Sequence, residues 1–100
     1  MIPHYEYNLG YLSIGGFFSQ YTRVRVEVKL NYAANVMLLD DQNYERYYRE
    51  DSYTYFGGYV TRSPYYIYVP HTGNWRVVID NGGDSMHGIE SSVHTSRFHR

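Results

Sequence analysis

The stretch TRVRVEVKL, residues 22–30, is the feature that most constrains what this chain can fold into. Val24, Val26 and Val28 alternate with charged residues, so every second side chain is apolar. This period of two is typical of a β-strand that buries one face and exposes the other. Because no apolar pattern typical of a long helix occurs elsewhere, we expect an all-β protein.

Three further segments extend the pattern. NVMLLD, residues 35–40, is apolar on both faces, which is typical of a central strand covered on both sides. YYIYVP and WRVVID, residues 65–70 and 75–80, each place alternate apolar residues on one face. Together with weaker segments near both ends, they predict seven or eight short strands in an antiparallel β-sandwich or jelly-roll-like fold. The residues predicted to form its core are Val24, Val26, Val28, Leu38, Ile67, Val69, Trp75, Val77 and Ile79.

The segment between NVMLLD and YYIYVP, residues 41–64, does not continue the alternating pattern. Tyr44, Tyr47 and Tyr48 have the i, i+3, i+4 spacing of a helix face, which predicts at most one or two helical turns near residues 42–49, capped by Asp40 or Asp41. SYTYFGG, residues 52–58, then predicts a short strand that ends at the Gly-Gly pair, and HTGN, residues 71–74, predicts a hairpin-type turn. The tail, about residues 96–100, is expected to be frayed.

Length and composition set broad limits. The 100 residues predict a single β-sandwich domain, residues 1–100. The formal net charge of -1 gives no reason to expect nucleic acid or a membrane as partner, and the absence of cysteine excludes thiol chemistry. The N-terminus lacks the features of a signal peptide and no apolar run has the length of a membrane span, so a cytoplasmic protein is expected. The histidines lack metal-ligand spacing, so neither a metal nor a cofactor is expected.

Aromatic and basic residues concentrate between residues 44 and 62 of a chain that holds 14 tyrosines. Tyrosine rings stack on bases or sugars, arginine can form paired hydrogen bonds with phosphate or carboxylate, and glycine lets a ligand approach the backbone. The alternative is a tyrosine-rich flap over one face of the sandwich, with the arginines at its solvated rim. The ligand-binding residues predicted from this segment are Tyr44, Arg46, Tyr47, Tyr48, Arg49, Tyr55, Gly57, Gly58, Tyr59 and Arg62.

Four motifs carry a family resemblance. LGYL, AANVMLLD leading to NY, GGYVTRSP and VPHTGNWRVVID follow one another within residues 4–83. In these motifs the chain resembles a bacterial family known as domain of unknown function 1883. The resemblance implies a small β-sandwich, sometimes found beside a TIR-type domain, and it implies no established activity. GFFSQYTR, residues 16–23, is longer than the family pattern, so a local extension is expected there.

These observations favour a non-enzymatic ligand-binding or sensing module with no catalytic residue. Its partner would be a small molecule, nucleotide-derived or otherwise anionic, or another protein, in bacterial signalling or defence. One alternative is a structural domain that mediates protein contacts or forms a homo-oligomer, because a tyrosine-rich sheet leaves edges to cover. A second alternative is a small hydrolase that acts through His71 or Asp41.

Overall fold

The structure is a computed structural model and describes residues 2–15 and 22–99. Within these ranges the chain forms seven strands and one short helix, which confirms the all-β class and the single stretch of helix. The elements in chain order are β1 (His4–Leu12), β2 (Thr22–Leu30), β3 (Ala34–Asp40), α1 (Asp41–Tyr48), β4 (Phe56–Val60), β5 (Tyr65–Tyr68), β6 (Gly73–Asp80) and β7 (Ser91–His99).

The strands form two antiparallel sheets. One has four strands in the order β1-β6-β3-β4, and the other has three in the order β5-β2-β7. β3 and β6 are therefore the inner strands of the four-stranded sheet, as the long apolar runs in their sequences indicate. β2 lies at the centre of the three-stranded sheet and pairs with both of its neighbours.

The main core lies between the two sheets. Val24, Val26 and Val28 of β2 and Trp75 of β6 are essentially fully buried in one apolar cluster. Of the nine residues predicted for the core, eight are buried, and Ile67 is partly buried against the same cluster. Ile67 keeps some exposure because it belongs to β5, an edge strand of the smaller sheet.

A second apolar cluster lies on the outer face of the four-stranded sheet. Met37 and Leu39 of β3, Val78 of β6 and Tyr47 of α1 are buried together there. The helix thus covers this face, and β3 is enclosed on both sides as its sequence predicts. The outer face of the three-stranded sheet, in contrast, is not covered by any helix of the described chain.

Three local predictions were wrong. β4 does not end at Gly57 and Gly58 but contains both and continues to Val60, because the two glycines pair with Met37 and Val36 of β3. The HTGN segment is not a hairpin turn. It joins β5, which pairs with β2, to β6, which pairs with β1 and β3, so the chain crosses there from one sheet to the other.

The third correction concerns the tail. Residues 96–99 were expected to be frayed, yet they form the end of β7 and pair with β2 as far as Thr22. The Arg97 side chain also donates a hydrogen bond of 2.7 Å to the Ser13 carbonyl. Regular pairing with a well-formed strand orders a segment that has no apolar pattern of its own. Most of the expected extension at residues 16–23 lies outside the described residues.

Candidate functional site

The helix separates tyrosines that the sequence groups together. Asp40 caps α1 by accepting a hydrogen bond of 2.8 Å from the Asn43 amide, which satisfies one free donor of the first turn. Tyr47 faces the sheet and is only 7% exposed. Tyr48, one position later, faces solvent and is 59% exposed. Tyr47 therefore acts in packing, and Tyr48 is available at the surface.

Tyr44 fastens the helix to the edge of the sheet. Its hydroxyl donates to both carboxylate oxygens of Glu6 at 2.7 Å, and the Arg76 guanidinium lies 4.5 Å from its ring centroid. Burial and the hydrogen bond to the Glu6 carboxylate raise the pKa of Tyr44 to about 12. The hydroxyl is thus held neutral by a satisfied structural contact, which leaves it little capacity to bind a ligand.

The two arginines of the helix region lie on its solvent side. Arg46 is exposed in the last turn, and Arg49 caps the C-terminal end through its backbone amide. The Arg49 guanidinium lies 3.7 Å from the Glu45 carboxylate, an exposed pair one turn apart. Such pairs contribute little to stability and leave both arginines hydrated.

The glycine pair has two different environments. A Cβ atom on Gly57, whose φ is +129°, would lie 2.1 Å from the Val36 carbonyl oxygen. A Cβ atom on Gly58 would have no neighbour within 4 Å. Close approach of β4 to β3 therefore requires Gly57, whereas Gly58 is not required by its surroundings.

Arg62 and Tyr59 line one cleft where the chain passes from β4 to β5. We call it the Arg62 cleft; it has a volume of about 420 Å³ and is lined by Tyr59, Val60, Thr61, Arg62, Pro64, Tyr65 and Tyr66. Tyr59 is 67% exposed. Arg62 forms no ion pair with any residue in the described ranges. An arginine without an ion pair in the described chain thus lines the same cleft as three tyrosines.

A second aromatic and basic surface was not predicted from the sequence. On the outer face of the three-stranded sheet, the Arg23 guanidinium lies 3.9 Å from the Tyr68 ring centroid. Arg25 lies 4.3 Å from the Tyr66 ring and 4.6 Å from the Phe98 ring. The Nε of Arg25 is buried without a hydrogen-bond partner in the described chain. We call this surface the Arg25 platform, formed by Arg23, Arg25, Tyr66, Tyr68 and Phe98.

The sequence contains only part of the information that identifies the Arg25 platform. The alternation in β2 and β5 places Arg23, Arg25, Tyr66 and Tyr68 on the solvent side of their strands. Only the register brings them together, with Arg25 opposite Tyr68 and Glu27 opposite Tyr66. Since Tyr66 also lines the Arg62 cleft, the cleft and the platform form one continuous surface.

The remaining predicted residue, Tyr55, lies elsewhere. It lines a smaller cleft of about 180 Å³ together with Gly58, Tyr53 and Asp80, on the outer face of the four-stranded sheet. The ten residues predicted as one site are therefore distributed among the helix region, the contact of Gly57 with β3, this small cleft and the Arg62 cleft. Tyr55 shares the small cleft with Gly58, and Tyr59 shares the Arg62 cleft with Arg62.

The residues considered for hydrolysis do not meet. His71 Nε2 lies 3.9 Å from an oxygen of Asp40, whereas Asp41 lies 3.9 Å from the Arg76 Nε. Across residues 2–15 and 22–99, no three histidine, aspartate or glutamate side chains are grouped so that they would hold a metal ion. In the same ranges no helix has the length and apolar character needed to cross a membrane.

The chain matches the family model described as Domain of unknown function (DUF1883) over residues 20–98. The chain belongs to this family. The matched range runs from β2 through β7 as far as Phe98, and it includes all residues of the Arg62 cleft and of the Arg25 platform. No curated protein and no solved structure matches the chain.

Proposed function

We propose that this DUF1883 domain is a non-enzymatic binding module for an anionic small molecule that carries an aromatic ring, such as a nucleotide derivative. The observation that carries the proposal is Arg62, an arginine without an ion-pair partner in the described chain, in a cleft walled by Tyr59, Tyr65 and Tyr66. The proposal assumes a bacterial, cytoplasmic setting in signalling or defence.

The chemistry of the cleft suits both parts of such a ligand. The planar guanidinium of Arg62 can donate two parallel hydrogen bonds to a phosphate or carboxylate. A tyrosine ring offers an apolar face on which a base stacks, with a contribution of about 1–3 kcal/mol per base. A volume of about 420 Å³ lies within the usual range of small-molecule sites.

The Arg25 platform adds a second cationic group beside the cleft. Arg23 and Arg25 form no ion pair within the described chain, and both are held in place by aromatic rings. Because Arg25 is only partly buried, its other guanidinium N–H groups are the donors that an incoming anion would meet. Both arginines would add positive potential beside an anion bound in the Arg62 cleft.

The lining of the Arg62 cleft supports binding without turnover. Its residues are three tyrosines, an arginine, a threonine, a valine and a proline. None of these is a histidine or a carboxylate, the side chains that most often act as general acid or base near neutral pH. We therefore propose that the bound molecule is released unchanged.

Isothermal titration calorimetry with ADP, adenosine and inorganic phosphate tests the proposal. ADP should bind more tightly than either fragment, because only ADP combines the anion with the ring. Chromatography of the ADP recovered after prolonged incubation should show no product. Equal affinity for ADP and adenosine would contradict the role of Arg62, and conversion of ADP would contradict the non-enzymatic function.

Self-association is a second candidate function, and the observation in its favour is β7. This edge strand runs over nine residues, and no described strand pairs with its outer side. Long unpaired edges readily add a strand from a second molecule. Light scattering at high protein concentration distinguishes the cases, because a monomer has a mass of 11.9 kDa and a dimer twice that value.

A further inference from the structure

Asp80, at the end of β6, is the one charged residue that is buried in the described chain, with an exposed fraction of 4%. Its Oδ1 atom accepts hydrogen bonds of 2.8 Å from the Asn35 amide group and from the Gly82 backbone. Its Oδ2 atom accepts none from a described residue, and no described lysine, arginine or histidine forms an ion pair with Asp80. Asp80 thus lines a cleft with one carboxylate oxygen that accepts no hydrogen bond from the described residues, and a positive group that enters this cleft would compensate its charge.

Asp80 lies in an aromatic environment. The cleft of about 180 Å³ that it lines also contains Tyr53 and Tyr55, whose ring centroids are 5.9 Å apart. A neighbouring cleft of about 280 Å³ is lined by Tyr47, Tyr53 and Asp51, among others. Tyr53 is a wall of both clefts, and its ring meets that of Tyr47 edge-on at 5.3 Å. The two clefts thus share a tyrosine lining.

The Tyr47 hydroxyl is a second unsatisfied group in this region. It is buried without a hydrogen-bond partner among the described residues, on a residue that is only 7% exposed. Burial, followed by the negative charge of Asp80, raises the pKa of Tyr47 to about 12, so its hydroxyl is neutral at ordinary pH. The Tyr47 side chain is therefore uncharged where it lines the cleft of about 280 Å³.

The cations nearest to these clefts already have partners. His4, whose ring meets Tyr47 edge-on, is hydrogen bonded to Glu6 at 2.8 Å. The negative charge of Asp80, opposite His4 in the neighbouring strand, helps to raise the pKa of His4 but forms no ion pair with it. Arg76 lies over Tyr44 and within 4.0 Å of Glu6 and 3.9 Å of Asp41. Neither cleft is lined by lysine or arginine. The surface around Asp80 is therefore negative and aromatic, the opposite of the Arg62 cleft.

We propose that the Asp80 and Tyr53 clefts form a second binding site, which takes a small organic ammonium ion. Tyrosine faces attract an ammonium group through their negative quadrupole, and the Asp80 carboxylate compensates its charge. A metal cation fits less well, because it prefers a full shell of oxygen ligands, and no three acidic or histidine side chains of the described residues are grouped so that they would hold one. The site lies on the outer face of the four-stranded sheet and is independent of the anion-binding function proposed above.

The test is a titration of the protein with choline chloride, followed by two-dimensional amide NMR. The controls are 3,3-dimethylbutan-1-ol, which has the shape of choline without its charge, and sodium chloride at matched concentration. Choline should give saturable shifts at Asn35, Tyr53 and Gly82. Shifts of the same size with the alcohol would show that the positive charge is not recognised. Shifts of the same size with sodium chloride would show a general effect of salt. Either result would overturn the proposal.

Three variants locate the site. Asp80→Asn should weaken choline binding about tenfold or more. Asp84→Asn, an exposed acid of the following turn, should leave it unchanged. Tyr55→Ala changes an exposed ring of the same cleft, so it remains informative if Asp80→Asn does not fold, and it should weaken binding several-fold. Unchanged choline affinity in Tyr55→Ala, or in a folded Asp80→Asn, would overturn the assignment.

Discussion

The Arg25 guanidinium lies 4.3 Å from the centroid of the Tyr66 ring, and the same ring is a wall of the Arg62 cleft. One tyrosine therefore connects the two groups of unpaired arginines on this surface. A ligand bound in the cleft would contact a ring that Arg25 already holds in place. Such preorganisation lowers the entropic cost of binding, because the ring need not be ordered anew.

The first prediction follows from this contact. Tyr66→Ala should weaken ADP binding roughly tenfold, because a stacking face is lost and Arg25 loses one of its supports. The fold should remain, since Tyr66 is 43% exposed. Tyr48→Ala is the matched control, because it removes an exposed tyrosine from α1, outside the cleft. Calorimetry should give wild-type affinity for the control, and equal losses in both variants would refute a specific role for Tyr66.

The second prediction concerns the glycine pair of β4. Gly57→Ala should destabilise the protein by about 1–3 kcal/mol from the positive φ alone, with a further cost because the Cβ atom meets the Val36 carbonyl. Gly58→Ala should be tolerated, because its Cβ atom has open space around it. Urea denaturation of the two variants is the measurement. Equal stabilities would show that β4 does not approach β3 as described.

The third prediction is a pH dependence of the His4 and Glu6 pair. Burial lowers the pKa of His4, but hydrogen bonds to the Ile2 carbonyl and the Glu6 carboxylate outweigh it, so the pKa lies above the ordinary 6.5. Burial raises the pKa of Glu6, but hydrogen bonds from His4 and Tyr44 bring it below 4.5. Both residues therefore contribute their full stabilisation of the fold at pH values between 4.5 and 6.5, the ordinary pKa values of the two groups.

The contribution of His4 should fade as the pH rises through its raised pKa, and that of Glu6 should fade as the pH falls through its lowered pKa. Urea denaturation of wild type and His4→Gln at about pH 5.5 and about pH 8.5 measures the effect. The wild type should be the more stable at the lower pH, and the two proteins should converge at the higher pH. A difference that is constant with pH would rule out a charged His4.

The fourth prediction concerns Trp75, which is 1% exposed and donates a hydrogen bond of 3.0 Å from its indole nitrogen to the His71 carbonyl. Trp75→Ala should destabilise the protein by about 3–5 kcal/mol, because it leaves a large cavity between the sheets. Tyr11→Ala, at an exposed ring on β1, should change the stability by less than about 0.5 kcal/mol. Thermal denaturation of both variants separates the core position from the surface position.

Much of the fold could be predicted because the spacing of apolar residues within a short segment indicates which side chains are buried. The alternation of Val24, Val26 and Val28 is enough to identify a half-buried strand, and Met37 beside Leu38 is enough to indicate a strand enclosed on both sides. β7 has no such pattern, and its last residues are ordered by pairing with β2. The crossing at residues 71–74 depends on which sheet β5 joins, and a local turn signal does not contain that information.

The candidate site was harder to predict because it depends on contacts between distant segments. Arg25 and Tyr66 lie on different strands, and only the register of β2 against β5 brings them together. The i, i+3, i+4 spacing of Tyr44, Tyr47 and Tyr48 predicts a helix but does not show which of the three rings faces the sheet. The prediction placed Arg49 and Arg62 in one site because they are close in sequence. In the structure Arg49 lies at the end of the helix, whereas Arg62 lies in a cleft between strands.

The most direct test of the proposed function is the ADP affinity of Arg62→Gln compared with that of Arg46→Gln. Both variants remove one exposed positive charge, so a general electrostatic effect would lower the ADP affinity of both equally. Because a charge-assisted contact contributes about 1.5–3 kcal/mol, Arg62→Gln should weaken ADP binding roughly ten- to a hundredfold, whereas Arg46→Gln should bind like wild type. Wild-type affinity in Arg62→Gln, or equal losses in the two variants, would contradict an anion site in the Arg62 cleft.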